Sequence, residues 1–525
     1  MNEREYIVSL SKGVDYDQFW AEMENPTSGL AFAPDRRVEI VNNRDASLRS
    51  CHYALTDQEA EILKTDPRIF SVEIPPNQRT DITPIIMASQ SSNFTKTGTA
   101  DSGDNVNFAL LRSSKATNIY GSGTTASGTY DYILDGTGVD VVIQDGGIEV
   151  NHPEFRDANG ISRVQLINWY TASGISGTQS VNHYRDYDGH GTHVAGTVAG
   201  KTYGWAKNAR IYSVKVNGLE GAGDSGTGIS TTDCFDVIKL WHRNKPVDPV
   251  TGKKRPTIVN MSWGYITSMT DITGGNYRGT PWTATTRQTA YGMVGSFTGV
   301  NYIHGVRIGS VDSDMTELID EGVIVCIAAG NYFQKIDISG GLDYDNYWTS
   351  SSYGNYYYHR GSSPAEPRAI TVGNVDAVVR TVAPLIEQKN VSSESGPGVD
   401  IFAPGSDIRS ATSNINAFTS STYYLDAGYK QMSISGTSMA SPQVAGVGAL
   451  FLQVYPTATP VQFQQWVTAN AVQNLIYSTG SSTDYTDVRS IKGAANRFLF
   501  NPWAVPSNGN VTGALTLTNV SLKNI

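Results

Sequence analysis

Cysteine is scarce in this 525-residue sequence, which has three: Cys51, Cys234 and Cys326. An odd set of three cannot form the disulfide framework that stabilises small secreted domains. Cys326 lies in the apolar run VIVCIAAG, where a free cysteine is an ordinary small core residue. We therefore expect a hydrophobic core to hold the fold together, and the length alone suggests about two to four domains.

Excess positive charge and long apolar runs are also missing. The 39 Lys and Arg against 49 Asp and Glu give a net charge of -10, and no basic stripe is present, so no nucleic-acid partner is predicted. No run approaches the ~20 apolar residues that cross a membrane. The start, MNEREYIVSL, lacks the apolar region of a secretory signal, which favours an intracellular or particle-borne protein, as in a virion, over classical secretion.

Residues 1–76 are predicted to form a small domain of their own. Four alternating runs, YIVSL, VEIV, CHYAL and SVEI, are interleaved with YDQFWAEM and TDQEAEILK, which carry apolar residues at helical spacing. The order βαββαβ predicts a ferredoxin-like domain. Thr56 and Glu59 have the spacing of a capping box for its second helix.

The rest of the chain divides by composition. Residues 77–105 are rich in Ser, Thr, Gly and Asn without a sustained period, which indicates a linker. Residues 106–505 alternate short apolar runs with helical patterns, and residues 506–525 form a predicted tail. This alternation predicts an α/β domain with a doubly wound, mostly parallel sheet, in which chemistry gathers at the carboxyl ends of the strands.

Two such positions carry a candidate acid and base. Asp145 closes the buried run VVIQD before two glycines, where an aspartate is more often a turn former or a helix cap. His190, in DGHGTHVAG, begins a predicted helix, with His193 three residues further on. Such a pair can suggest a metal, but zinc helices use a four-residue spacing with a glutamate between the histidines. Taken singly, both positions favour structural roles.

The third position lies in SISGTSMASPQVAG, residues 433–446. Ser438 follows Gly-Thr at the start of an apolar helix, where the helix dipole and free N–H groups would face an oxyanion. A helix cap within a seam of small residues explains the same motif. Taken with the other two positions, however, it completes a set of nucleophile, imidazole base and orienting carboxylate.

The order Asp145, His190, Ser438 is that of subtilisin. The sequence resembles the subtilisin-like serine proteases, and within them the proteinase K-like group. Residues 4–76 are similar to the inhibitor-like propeptide of the family, so the resemblance implies a serine endopeptidase made as a zymogen. The matching motifs, in order, are DGGIEVNHPEF, DGHGTHVAGTVAG, TYGWAKNARIYSVKV, VNMSWG, AAGN, DIFAPG and SISGTSMASPQVAG.

The resemblance also implies roles for single residues. Asp145 would orient the imidazole, His190 would be the general base and Ser438 the nucleophile. Asn331, which ends AAGN, would stabilise the oxyanion together with the Ser438 N–H. An extended peptide would bind as an added strand. The positions implied to line its cleft are Ser262, Trp263 and Gly264 on one edge, Gly221, Ala222 and Gly223 on the opposite edge, and Ala329 and Gly330 beside the asparagine.

No cofactor is implied for catalysis, but a structural calcium ion is. SSPAEPRAITVG and VDIFAPG resemble segments of proteinase K, which assigns the Pro367 and Ala369 carbonyls and the Asp400 carboxylate as ligands. Oxygen ligands of this kind suit Ca²⁺, with waters completing the shell. An ordinary turn carboxylate accounts for Asp400 equally well.

The sequence departs from the family pattern at several points. Gly146 stands where the family usually has Thr or Ser, which removes a supporting hydroxyl from the acid. Trp263 is larger than the residue common at its position, so it is expected to crowd the cleft. The connections 265–311, 332–361 and 411–431 are long and predicted to rim the cleft, and the tyrosine-rich part of the second is expected to expose its aromatic faces.

Two functions are consistent with these patterns. The first is an active endopeptidase that acts on extended peptides or proteins and has its own N-terminal domain as chaperone and inhibitor. In that case the segment from Glu73 to Thr80 is expected to block the cleft. The second is an uncut structural component of a virion or another multiprotein assembly, suggested by the long Tyr/Ser/Asn loops and the missing signal peptide.

Overall fold

The computed structural model describes residues 3–24, 38–42, 44, 46–81, 83–86, 89–90, 107–122, 128, 130, 132–249, 252–295, 302–380, 387–478 and 487–504. For residues 83–86 and 89–90 it describes the backbone alone. The predicted tail 506–525 and most of the predicted linker 77–105 lie outside these residues.

The N-terminal unit has the predicted βαββαβ order. Its elements are β1 (Arg4–Leu10), α1 (Tyr16–Glu24), β2 (Glu39–Asn42), β3 (Ser50–Leu55), α2 (Asp57–Leu63) and β4 (Ile69–Glu73). The strands form one antiparallel sheet in the order β2-β3-β1-β4, and a separate hydrophobic cluster joins it to the helices. The predicted capping box at Thr56 and Glu59 is confirmed, since each side chain accepts the backbone N–H of the other residue.

Two short strands of the predicted linker, referred to below as the junction, lie against the larger unit. They are β5 (Thr83–Ile86) and β6 (Ser89–Gln90). β5 is the edge strand of a three-stranded sheet, and β6 pairs with the strand that leads to the Ser438 helix. The chain between the two units therefore contacts the larger one through its backbone.

The larger unit is built on an eight-stranded sheet. Its helices are α3 (Phe108–Arg112), α4 (Trp169–Ser173), α5 (His190–Ala199), α6 (Cys234–Asn244), α7 (Gly309–Asp320), α8 (Thr437–Val454) and α9 (Pro460–Asn470). The strands are β7 (Asp140–Asp145), β8 (Arg210–Lys215), β9 (Thr257–Met261), β10 (Trp263–Ser268), β11 (Ile272–Tyr277), β12 (Thr280–Trp282), β13 (Ile303–Gly305), β14 (Ile324–Ala328), β15 (Tyr347–Ser350), β16 (Gly354–Tyr356), β17 (Ile370–Val375), β18 (Ile401–Pro404), β19 (Ile408–Thr412), β20 (Ser421–Tyr423), β21 (Asp426–Ser435), β22 (Val472–Gln473) and β23 (Arg497–Phe498).

The order of the large sheet is β22-β23-β18-β17-β14-β9-β7-β8, and all of its pairs are parallel except β22 with β23. Alternate residues of β7 pack on opposite faces: Val141 and Ile143 contact the cluster that contains α5 and α8, and Val142 contacts the cluster of α6 and α7. A sheet covered on both faces explains why its strands are continuous apolar runs. The predicted doubly wound, mostly parallel α/β fold is confirmed.

The long connections contain β-structure of their own. β11, β12, β15 and β16 form a second, four-stranded antiparallel sheet. Trp348, Tyr356 and Tyr358 are buried there, so the prediction that this tyrosine-rich stretch exposes its aromatic faces is wrong for these side chains. A tyrosine can bury its ring where its hydroxyl reaches an acceptor, as Tyr358 does by donating to the Tyr291 carbonyl at 2.6 Å.

The three cysteines are all buried and free, and Cys326 is the core residue that its apolar run predicts. Within the residues described, no helix combines the length and the apolar character that crossing a bilayer requires.

Candidate active site

The acid and base candidates meet at the carboxyl edge of the large sheet. Asp145 is the last residue of β7 and His190 is the first of α5. The His190 Nδ1 atom is 2.9 Å from Asp145 Oδ1 and 3.1 Å from Oδ2, and both residues are buried. The Gly146 N–H donates to Asp145 Oδ1 at 2.7 Å. The backbone N–H of Gly146 thus supports the Asp145 carboxylate, although glycine lacks the side-chain hydroxyl that the family usually has at this position.

Two further carboxylates, which the sequence analysis missed, lie beside His190. Asp188 Oδ1 accepts the His190 N–H at 2.8 Å, and Asp186 accepts backbone N–H groups at the start of the same helix. Burial alone would lower the pKa of His190, but the charge and hydrogen bond of Asp145, with smaller contributions from Asp188 and Asp186, raise it above 6.5. The two aspartates of the motif DYDGHG, which come just before this helix, could have indicated these carboxylates from the sequence.

Ser438 lies in the first turn of α8, where backbone N–H groups have no partner within the helix. Its Oγ donates to the Ser262 carbonyl at 3.0 Å, and Ser262 Oγ donates back to the Ser438 carbonyl at 3.0 Å. His190 Nε2 is buried and has no hydrogen-bond partner among the described residues. The structure therefore joins Asp145 to His190, while the Ser438 hydroxyl points to Ser262. Such contacts commonly tighten only when substrate binds.

The amide of Asn331 has a fixed orientation. Its Oδ1 accepts the Thr437 N–H at 3.0 Å and the Thr437 hydroxyl at 3.2 Å. Its Nδ2 is buried with no partner within the described part of the chain, so a donor is left for a further acceptor. Thr437 Oγ1 also accepts the Gly330 N–H at 3.1 Å. Thr437, which the sequence analysis did not single out, thus ties Asn331 and Gly330 to the residue before Ser438.

A side-chain network supports the first turn of α8. Asn260, in β9, donates to Ser262 Oγ at 2.8 Å and accepts from Ser441 Oγ at 2.8 Å. Because Ser262 and Ser438 also bond to each other, the strand end and the helix start are held as one piece. Two of the serines in the motif SISGTSMASPQVAG, Ser438 and Ser441, therefore have hydroxyls with defined partners.

One predicted cleft edge carries a strand. Trp263 pairs with Ile86 and Ile266 pairs with Thr83, so β5 runs antiparallel to β10 over four residue pairs that include Gly264. The Trp263 side chain is buried and donates to the Gln144 side chain at 3.2 Å. That Trp263 crowds the cleft stays a prediction.

The other predicted edge is a turn. Gly221 and Gly223 have φ angles of 78° and 88°, and Ala222 between them is exposed. Among the described residues, β5 pairs only with β10, so the structure does not place Gly221 to Gly223 in a ladder with it. Ala329 and Gly330 follow β14 and lead to Asn331. At Gly330 φ is 122°, a backbone conformation that favours glycine.

β6 pairs with the strand that precedes Ser438. Ser89 pairs with Ser435 and Gln90 pairs with Ile434, at the end of β21 that leads to α8. The two junction strands thus pair with the segment directly after Ser262 and with the segment shortly before Ser438.

The predicted blocking segment lies elsewhere. Glu73 ends β4 and accepts the Gly309 and Ser310 N–H groups, at 2.9 Å each, at the start of α7. A carboxylate is stabilised there by the helix dipole and the free N–H groups. The prediction that Glu73 to Thr80 blocks the cleft is therefore wrong, because the strand beside the site is β5, which begins further along the chain.

The predicted calcium ligands are partly satisfied by the protein itself. Gln464 Nε2 donates to the Pro367 carbonyl at 2.8 Å and to the Ala369 carbonyl at 3.4 Å. Asp400 Oδ2 accepts the Thr371 N–H at 2.8 Å, and burial raises the pKa of Asp400 to about 7. The two carbonyls converge on one partner, which fits a cation, but an amide occupies that position. No group of three His, Cys, Asp or Glu side chains arranged to hold a metal occurs among the described residues.

Comparisons with known proteins agree with this geometry. A family model described as the subtilase family, Peptidase_S8, matches residues 136–498. The chain is 26% identical over 492 residues to the alkaline serine exoprotease A of Vibrio alginolyticus, covering 94% of this chain and 65% of that protein. That alignment is longer than the chain after residue 76, so it includes part of the N-terminal unit.

Two further relatives are proteinases. The extracellular serine proteinase of Thermus sp. strain Rt41A is 29% identical, covering 83% of this chain and 74% of that protein. Proteinase R of Parengyodontium album is 30% identical, covering 67% of this chain and 63% of that protein. The chain therefore spans about two thirds of the length of these relatives. Since the family model covers more than half of the sequence, the chain belongs to the subtilase family of serine proteases.

Proposed function

We propose that this chain is the precursor of a serine endopeptidase. In the proposed reaction, Ser438 Oγ attacks the carbonyl carbon of a peptide bond while His190 Nε2 takes its proton. Asp145 holds the other ring nitrogen and stabilises the imidazolium. Asn331 Nδ2 and the Ser438 N–H stabilise the oxyanion, and His190 then protonates the leaving amine. Water hydrolyses the acyl ester by the same steps.

The observation that carries this proposal is the register of the junction. Ile86 lies opposite Trp263, next to Ser262, whose carbonyl is 3.0 Å from Ser438 Oγ. Ser89 lies opposite Ser435, three residues before Ser438. The chain thus approaches the nucleophile along β10 and leaves along β21, as an extended substrate would.

The same register suggests where the chain cuts itself. Two residues, Met87 and Ala88, connect Ile86 to Ser89 in sequence. One further step along the β10 ladder from Trp263 reaches Ser262, which contacts Ser438. We therefore propose the bond between Met87 and Ala88 as the first substrate, with β5 acting as the inhibitory strand until the N-terminal unit leaves.

The assembly function is not proposed. It was suggested by the long aromatic connections, but Trp282, Trp348 and Tyr356 in the second sheet and Tyr358 just after it are buried instead of being available to a partner. Those connections form the wall of a cavity of about 320 Å³ beside Thr80 and Asp81, next to the outer end of β10. Their position favours a role in extending the peptide cleft.

A structural calcium ion remains a proposal for this chain. Pro367, Ala369 and Asp400 would hold it, provided that the half-buried Gln464 amide turns away from the two carbonyls. The ion would stabilise the fold and would take no part in the reaction. The test is the melting temperature of the full chain with Ca²⁺ and with a chelator: a rise with Ca²⁺ that Asp400→Asn abolishes supports the site, and equal melting temperatures contradict it.

The function is tested by the mass and the N-terminus of the purified chain. We expect conversion of the full chain to a form that begins at Ala88, together with labelling by a fluorophosphonate probe. Both should be lost in Ser438→Ala and kept in Ser433→Ala, a serine of the same motif that lies on the strand side. Labelling or cutting that persists in Ser438→Ala contradicts the assignment of the nucleophile, and a first cut outside residues 86–89 contradicts the register.

A further inference from the structure

Arg44 of the N-terminal unit is buried in the larger unit. Its side chain is 1% exposed, and its Nη2 atom is 2.7 Å from Asp236 Oδ2 on α6 and 3.0 Å from Asp314 Oδ1 on α7. The same nitrogen donates to the Thr232 carbonyl at 2.7 Å. One guanidinium nitrogen from the first unit therefore lies among three oxygen atoms of the second.

Without Arg44, the pocket between α6 and α7 that surrounds its side chain has more negative than positive charge. Asp236, Asp314 and Glu317 supply three carboxylates, and Lys239, which pairs with Asp236 at 2.8 Å and with Glu317, supplies one cation. Burial raises the pKa of Asp314, and the charge of Arg44 opposes that rise. A buried carboxylate without a partner is costly, so the pocket is built to hold a cation.

The contact continues along α7. Glu317 Oε1 accepts from Ser47 Oγ at 3.0 Å and from the Arg49 N–H at 3.1 Å, and both residues follow Arg44 in the N-terminal unit. None of these groups touches the junction strands or the Ser438 site in the hydrogen bonds described above. The pocket therefore holds the N-terminal unit by side chains at a place separate from the cleft.

We infer that Asp236, Asp314 and the Thr232 carbonyl form a guanidinium-binding site, and that Arg44 is the anchor that keeps the N-terminal unit attached after the junction is cut. The natural cut rests on the proposed function; the binding site does not. An arginine suits this pocket because its guanidinium is permanently charged and less strongly hydrated than an ammonium group, so that burying it costs less. Arg44→Lys should therefore restore only part of the attachment.

The binding site is tested in the uncut Ser438→Ala chain by chemical rescue. We expect Arg44→Ala to lower the melting temperature by about 2 °C or more. Millimolar methylguanidinium should restore it, and equal methylammonium or sodium chloride should not. The matched control is Arg4→Ala, an arginine of the same unit whose side chain is 49% exposed and pairs with Asp57. It should show neither loss nor rescue. Equal effects of methylguanidinium on both variants would overturn the binding site.

The anchor is tested without relying on self-processing. A recognition sequence for an added protease, placed between residues 90 and 107 of the Ser438→Ala chain, allows the two parts to be separated by choice. After that cut, we expect the dissociation constant of the N-terminal part to rise at least tenfold in Arg44→Ala, with a smaller rise in Arg44→Lys. An unchanged constant would overturn the anchor. Failure of the chain with an intact Ser438 to cut itself would instead contradict the proposed function.

Discussion

Two buried groups of carboxylates in this chain surround different cations. At the start of α5, Asp145, Asp186 and Asp188 lie around the imidazole of His190. Between α6 and α7, Asp236, Asp314 and Glu317 lie around Arg44 and Lys239. An imidazole gains and loses its charge near neutral pH, whereas a guanidinium keeps it. Similar acidic groups can therefore tune a proton transfer at one place and hold two parts of a protein together at another.

Removing His190, the titrating cation of the first group, should have the largest effect on activity. We expect His190→Ala to lower kcat for a peptide substrate by about 10⁶-fold, the loss known from subtilisin of the same family, because Ser438 then has no base. The measurement is hydrolysis of a small peptide, with circular dichroism to check folding.

The matched control for this variant is His242→Ala. That histidine, on α6, has its Nδ1 atom 2.9 Å from Thr257 Oγ1, and it makes none of the contacts described for the site. It should leave kcat unchanged. A loss of less than tenfold in His190→Ala would contradict the assignment of the base.

Removing Asn331, the neutral hydrogen-bond donor near Ser438, should lower kcat less than removing His190 does. We expect Asn331→Ala to lower kcat by about 10²–10³-fold, the cost known for an oxyanion donor in subtilisin, with little change in KM. The reason is that Nδ2 would bind the oxyanion only as it forms. Steady-state kinetics at several substrate concentrations separate the two constants. A rise in KM at constant kcat would show that Asn331 binds the ground state instead.

Removing the lysine of the second group, Lys239, should affect stability alone. Lys239→Met leaves Asp236 and Glu317 without their shared partner, so we expect the free energy of unfolding of the Ser438→Ala chain to fall by about 3 kcal/mol. In the active chain, kcat should not change. Urea denaturation measures the first quantity.

Lys64→Met is the control for that measurement. Lys64 pairs with Glu61 on the surface, with 47% of its side chain exposed, so its loss should cost less than about 0.5 kcal/mol. Equal losses for the two lysine variants would mean that burial of the α6–α7 group adds nothing.

The smallest effect expected is a displacement of the pH profile. Because the pKa of His190 is raised above 6.5, kcat/KM should rise with pH through a midpoint above 6.5, as the imidazole becomes neutral. Stability should change in the opposite direction. A raised folded-state pKa stabilises the fold below the unfolded value, and that contribution is lost as pH rises through the folded value. A midpoint at or below 6.5 would contradict this electrostatic account.

Local patterns account for what could be predicted from the sequence. Asp145, His190 and Ser438 are each marked by glycines at the end of a strand or the start of a helix, and parallel strands bring such positions to one edge. The capping box at Thr56 depends on residues three positions apart. In both cases the information lies within a few residues.

The features that could not be predicted depend on distant parts of the chain. Arg44 and Asp236 are 192 positions apart, and an aspartate on an amphipathic helix usually indicates a solvent-facing position. The register of β5 was not visible either, because a Ser- and Thr-rich linker has no periodicity to fix it. The Trp263 indole finds its hydrogen-bond acceptor in Gln144 of β7, which lies 119 positions earlier in the chain.

The unequal lengths of the two junction ladders set the order in which the products would depart. β6 is held to β21 by two residue pairs, whereas β5 is held to β10 by four. The N-terminal unit that precedes β5 is also held through Glu73. Under the proposed function, the segment on the amine side of the cut would therefore be the first to leave. Its departure would open the acyl ester to water from that side, while the acyl half stays in place. The leaving group of that first turnover would be the amino terminus of the peptidase itself.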